Sequence, residues 1–165
     1  SIKLLATSRK LSEDSYYAVV APFLVGKNNP LYSVNDVYNG IFVHGNVLGD
    51  AMFYGSGAGK LPTASAVVAD VVDEAKHLHE NMPNEWNDQP LPLADPDQVS
   101  GRFFVRVQTT DLSLIRSAFG AIEQIQVPKA EGETGFVTAQ MTLGQYKAKA
   151  AEIKAEILSM IRIKD

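Results

Sequence analysis

The sequence predicts an α+β chain: an antiparallel β region with a packed helix over residues 1–80, an acidic linker over 81–100, and a βαββαβ unit over 101–165. Three observations carry this division. Runs of β-branched and aromatic residues, bounded by polar and glycine clusters, fill the first part. Between Glu80 and Gly101 stand Pro83, Pro90, Pro92 and Pro96, half of the chain's 8 prolines, with Glu85, Asp88, Asp95 and Asp97 and no Lys or Arg. Beyond Gly101, strand-type alternation and helix-type spacing take turns.

The elements follow in order. Ile2 to Thr7 and Tyr16 to Val25 read as strands. Gly40 to His44 and Leu48 to Tyr54 are two more, with Gly45-Asn46 as the turn between them. From Ala64 through Val67, Val68, Val71, Val72, Ala75 and Leu78 the apolar residues recur at three and four, one face of a helix, with Pro62 in a first turn that tolerates it. Valine is a mediocre helix former, so burial of this stripe is expected to hold the helix. Proline removes donors and fixes φ, so the acidic stretch reads as an extended linker, with Trp86 expected to pin it to a neighbour. In the last unit, Arg102 to Gln108 alternates as a strand, and Asp111 to Ile122 has helical spacing with Asp111 as N-cap. Gln124 to Val127 and Phe136 to Met141 are strands around a Gly132/Gly135 loop. Tyr146, Ala150, Ile153, Ile157 and Met160 step as a second helix, leaving Ile161-Arg162-Ile163 as a short last strand. The order is a split βαβ.

Composition excludes several classes. The net charge of −4 provides no basic field for a phosphate backbone, so no nucleic-acid partner is expected. No uncharged apolar run reaches about 18 residues, so no membrane-spanning helix is expected. The absence of Cys removes disulfides, thiolate nucleophiles and Cys-based metal sites, and fits a reducing, cytoplasmic setting. The chain opens on Ser1 and enters apolar sequence at once, which reads as a piece of a longer protein.

Few residues carry chemistry. Gly55, Gly57 and Gly59 precede a helix start, the ingredients of an anion or nucleotide site, because backbone approaches closely there and helix N–H groups point outward. The spacing G-x-G-x-G is not the dinucleotide fingerprint, and Leu61 stands where a P-loop needs Ser or Thr. A plain tight turn and a ligand contact both stay open. His77 and His79 are two apart on a helix and cannot face one ligand, so with His44 they read as solvated or hydrogen-bonded rather than metal-binding. Asp70, Asp73 and Glu74 lie opposite the valines as a solvated face, and Asp50 is a lone carboxylate. In each of the pairs Tyr16-Tyr17 and Phe103-Phe104, one ring should face the core.

The stretch Gly40-Ile41-Phe42-Val43-His44-Gly45-Asn46 through Gly49-Asp50-Ala51-Met52-Phe53-Tyr54-Gly55-Ser56-Gly57-Ala58-Gly59-Lys60-Leu61-Pro62-Thr63-Ala64 to Asp70 closely resembles bacterial homoserine dehydrogenases. The likeness extends upstream through Ile2-Lys3-Leu4-Leu5-Ala6, Pro22 and Pro30-Leu31, and the βαββαβ order resembles the ACT (ferredoxin-like) regulatory domain that bacterial members carry at the C-terminus. The resemblance implies an NADP- or NAD-dependent oxidoreductase that interconverts aspartate semialdehyde and homoserine, on the route to threonine, methionine and isoleucine. It implies that the Rossmann domain and catalytic lysine lie upstream of Ser1, so that the fragment alone is inactive and carries no catalytic residue. It places the cofactor beside Gly57, Ala58 and Gly59, with Gly59→Val expected to weaken cofactor binding and leave the fold intact. It also implies a homodimer or higher homo-oligomer and a possible amino-acid effector such as threonine. ACT domains usually carry Asp-x-x-Gly at the effector loop, whereas here Asp111, Leu112, Ser113 and Leu114 contain no glycine, so a leucine would occupy that space. Glu123-Gln124 likewise stands where a glycine turn after the helix is common. The alternative from another class is a non-enzymatic amino-acid-binding (ACT) regulatory or dimerisation module.

Overall fold

In a computed structural model the chain is α+β, with residues 1–80, 83, 86–126 and 131–164 described. It divides into two compact units, one made of residues 1–26 with 90–165, the other of residues 27–89.

The larger unit is built on a six-stranded sheet. β1 (Ile2–Ser12) and β2 (Ser15–Val25) form an antiparallel hairpin. A two-residue strand β5 (Ser100–Gly101) pairs with β9 (Met141–Thr142). β6 (Phe103–Val107), α2 (Leu112–Phe119), β7 (Ile122–Ile125), β8 (Thr134–Thr138), α3 (Leu143–Glu152) and β10 (Ile157–Lys164) complete the split βαβ order. The sheet runs β1-β2-β10-β6-β8-β7. Its last four strands take the ferredoxin-like arrangement. The β1–β2 hairpin extends that sheet through a parallel pairing of β2 with β10, rather than joining the other early strands as the sequence suggests.

Phe103, Val105 and Val107 alternate inward from β6 onto Ile115, Phe119, Phe136 and Tyr146. Phe119 packs against both Phe136 and Tyr146, with ring centroids 5.1 and 6.0 Å apart. Tyr17 and Phe103 are the buried members of their aromatic pairs. α2 stops at Gly120, whose φ of 77° suits a residue without Cβ, so the glycine turn after the helix is present and Glu123-Gln124 lie in β7. Ile122 therefore opens a strand instead of closing a helix. Of the expected strand Gln124 to Val127, Val127 lies outside the described residues.

α3 ends at Glu152, earlier than its apolar spacing suggests. Ile157 and Met160 belong to β10, which lies between β2 and β6 and pairs with both. The proline-rich segment is not all free linker: Tyr16 exchanges backbone hydrogen bonds with Pro92 and Ala94, and a 3-10 turn at Pro96–Gln98 brings Asp97 to Lys147 at 2.7 Å. Glu85 lies outside the described residues. Trp86 is 86% exposed and pins nothing.

The smaller unit contains a two-stranded ribbon of β3 (Tyr38–Gly45) and β4 (Gly49–Ser56), followed by α1 (Lys60–Lys76). The turn spans residues 46–48 and closes on Gly49 at φ 74°, so Leu48 is in the turn rather than the strand. No residue of α1 is buried, and Val71 is 62% exposed. The expected burial of the valine stripe is absent among the described residues.

Candidate functional site: the loop between β4 and α1

β4 delivers the chain to Gly57-Ala58-Gly59, and α1 begins one residue later. Gly59 is the N-cap at φ 128°, a conformation that L side chains rarely adopt. The Thr63 N–H donates to the Gly59 carbonyl at 3.1 Å and closes the first turn. No side chain caps the helix, no acidic residue stands in its first turn, and Pro62 has no N–H. The donors at Lys60 and Leu61 and the positive end of a 17-residue helix therefore face outward without an internal acceptor. A Cβ on Gly57 would collide with the side-chain amide of Asn39, from the neighbouring strand β3. This loop has the backbone donors and absence of side chains that a carbonyl or phosphate oxygen requires, so its residues fit a nicotinamide cofactor.

The other sequence candidates separate into surface groups. His44 and Asp50 are cross-strand partners in the β3–β4 ribbon, with Nδ1 and Oδ1 2.6 Å apart. Both are exposed, so the pair contributes at most about 1 kcal/mol. His77 Nδ1 donates to the Asp73 carbonyl at 2.9 Å. Among the described residues no three His, Asp or Glu side chains could hold a metal.

At the Asp111 loop the N-cap is as expected. The Asp111 carboxylate accepts the Ser113 hydroxyl at 2.6 Å and the backbone N–H groups of Ser113 and Leu114 at 2.9 and 3.2 Å. The Ser113 hydroxyl foremost, and the two backbone N–H groups with it, hold its pKa below the ordinary carboxylate value. Leu112 and Leu114 pack against the hydrophobic core. What the sequence reasoning missed is a cavity bordered by Arg9, Arg162 and Lys164 on the larger unit. Its one signal was the pair of cations at alternate positions in the apolar run Ile157 to Lys164.

The α+β fold and the glycine loop at the head of α1 are the features to set beside known proteins. The homoserine dehydrogenase family model matches residues 1–72. Homoserine dehydrogenases from Lactococcus lactis and Synechocystis are 31% and 33% identical over 88% and 98% of this chain, which spans 37% and 44% of their lengths. The structure of a homoserine dehydrogenase from Thiobacillus denitrificans superposes with a TM-score of 0.79 at 25% identity, covering 99% of this chain and 42% of that one. The S. aureus enzyme gives 0.70 at the same identity. The chain belongs to the homoserine dehydrogenase family. It spans about two fifths of the length of the relatives it matches.

Proposed function

We propose that this chain is the C-terminal part of a homoserine dehydrogenase, and that the whole protein interconverts aspartate semialdehyde and homoserine with NADP or NAD. The observation that carries this reading is the uncapped Gly57-Ala58-Gly59 turn at the head of α1, within the segment matched by the family model. The cofactor supplies the hydride when bound. Gly57 and Gly59 add no side chain to the loop, the Lys60 and Leu61 N–H groups offer hydrogen bonds, and Ala58 adds little bulk at the loop's tip. Hydride transfer and proton transfer are assigned to a Rossmann domain and a lysine upstream of this segment. Lys60 has no part in them.

Residues 101–165 are proposed as an ACT-like regulatory domain following the linker. The Asp111–Leu114 loop, which lacks the glycine that usually leaves room for an amino-acid effector, speaks for a subunit-pairing role there over threonine binding. The uncovered valine face of α1 and the exposed Ile41, Phe53 and Tyr54 of the β3–β4 ribbon support a homodimer or higher homo-oligomer. A cytoplasmic location agrees with the cysteine-free sequence. Among the described residues no helix is long and apolar enough to cross a membrane.

The loop assignment is tested by Gly59→Ala in the complete protein. Because Gly59 is at φ 128°, substitution adds backbone strain of about 1–3 kcal/mol, so the fold is not left untouched as the sequence alone suggests. Gly49→Ala supplies the control: it has a φ of 74°, open space around it, and lies at the far end of the same ribbon. Gly59→Ala should raise the cofactor KM about tenfold or more, about 1.4 kcal/mol, with the homoserine KM unchanged. Gly49→Ala should lower stability alone. Equal cofactor KM values in the two variants would reduce the loop to a turn.

A further inference from the structure

A cavity of about 280 Å³ opens in the larger unit where β10 meets β2, on the core face of the sheet. Tyr17, Phe23, Phe103 and Leu143, all buried, contribute its apolar wall. Arg162 stands opposite Phe23 on β2 and Phe103 on β6, and residues paired across strands share a face. Two residues earlier on that face, Met160 packs against the core; two residues later comes Lys164. β10 thus turns a guanidinium and an ammonium toward a row that elsewhere supplies apolar side chains. Across the cavity the Arg9 guanidinium lies 5.6 Å from the centre of the Tyr17 ring.

No carboxylate lines this cavity among the described residues, and none of them pairs with Arg9, Arg162 or Lys164. That is notable in a chain of net charge −4. With Arg102 also on the lining, four cationic side chains border a partly enclosed, apolar-walled space, where like charges repel one another and an anion relieves that repulsion. The planar fork of arginine matches a carboxylate through two parallel hydrogen bonds. The aromatic wall suits an apolar body behind that carboxylate, and the volume is at the small end of ligand cavities.

We propose that this cavity binds a small organic carboxylate carrying a branched or aromatic apolar group, with Arg162 as the main anion contact. Neither the Gly57–Gly59 loop nor the Asp111–Leu114 loop lines it, so it is a site distinct from both and does not depend on the reading of either.

Calorimetric titration of the 165-residue chain with 3-phenylpropionate, sulfate and 3-phenylpropanol tests the proposal. Saturable binding of 3-phenylpropionate is expected, with sulfate (charge alone) and the alcohol (apolar body alone) each weaker by about tenfold or more. Arg162→Met keeps an apolar stem and should weaken 3-phenylpropionate about tenfold, whereas Lys154→Met, at an exposed position, should leave it unchanged. Circular dichroism reports whether Arg162→Met folds; if it does not, Arg9→Met and Lys164→Met are read in the same way, and each should weaken binding. Absence of saturable 3-phenylpropionate heat would overturn the proposal. So would equal binding of sulfate, or affinity indifferent to the loss of these cations.

Discussion

The Asp111 carboxylate takes three hydrogen bonds from one hydroxyl and two backbone N–H groups, so its ionised form is favoured in the folded chain over the unfolded one. A carboxyl whose folded pKa is depressed contributes stability that is present above its unfolded pKa and is lost as pH falls through the folded value. Asp111→Ala should therefore lower the melting temperature at neutral pH, and its gap from the parent should narrow as the pH drops below the ordinary carboxylate range. A gap that stays constant into acid would mean that the charge of Asp111 adds nothing to the cap. The cap was legible from sequence, because an Asp ahead of an apolar helical pattern has one common use. Gly59 was legible only as a small residue. Its positive φ depends on how β4 enters α1, which spacing does not encode, and this is why substitution there touches the fold as well as the loop.

Among the elements, α3 shows how tertiary pairing overrides periodicity. Ile153, Ile157 and Met160 satisfy the helical step, yet the run Ile157 to Lys164 is equally rich in residues that favour a strand. The gap between β2 and β6 decides in favour of the strand, since both neighbours offer it backbone hydrogen bonds. A start signal was available at Thr142, whose hydroxyl accepts the Gln145 N–H at 3.1 Å while the Gln145 side chain accepts the Thr142 N–H at 2.8 Å. This capping box fixes where α3 begins. Thr142→Ala should cost about 1 kcal/mol in urea unfolding, with the denaturant slope unchanged. A loss within error of zero would show that packing of Leu143 and Tyr146 alone sets the start. For α1 the reading failed differently. The valine spacing marks the helix correctly, but a stripe can only say that something covers it, and here none of the described residues buries it.

For the whole molecule, the α+β class and the split βαβ order were both readable, because each depends on element type and sequence order alone. The partner of the first hairpin was not. β1 and β2 alternate in the same way whether they pair with β3 and β4 or with β10, and only the three-residue parallel register at Phe23, Leu24 and Val25 selects the latter. That choice also forms the cavity at Arg162, which no linear motif announces. Membership in the homoserine dehydrogenase family and the span of about two fifths of its relatives support the proposal at stake, that this chain completes an NAD(P)-dependent dehydrogenase and does not act as one alone. The most direct measurement is homoserine-dependent reduction of NADP and NAD, followed by absorbance, for the protein from the complete gene and for the purified 165-residue chain. The account predicts turnover by the first and none by the second. Turnover by the isolated chain, or a complete protein that reduces neither cofactor with homoserine, would contradict it.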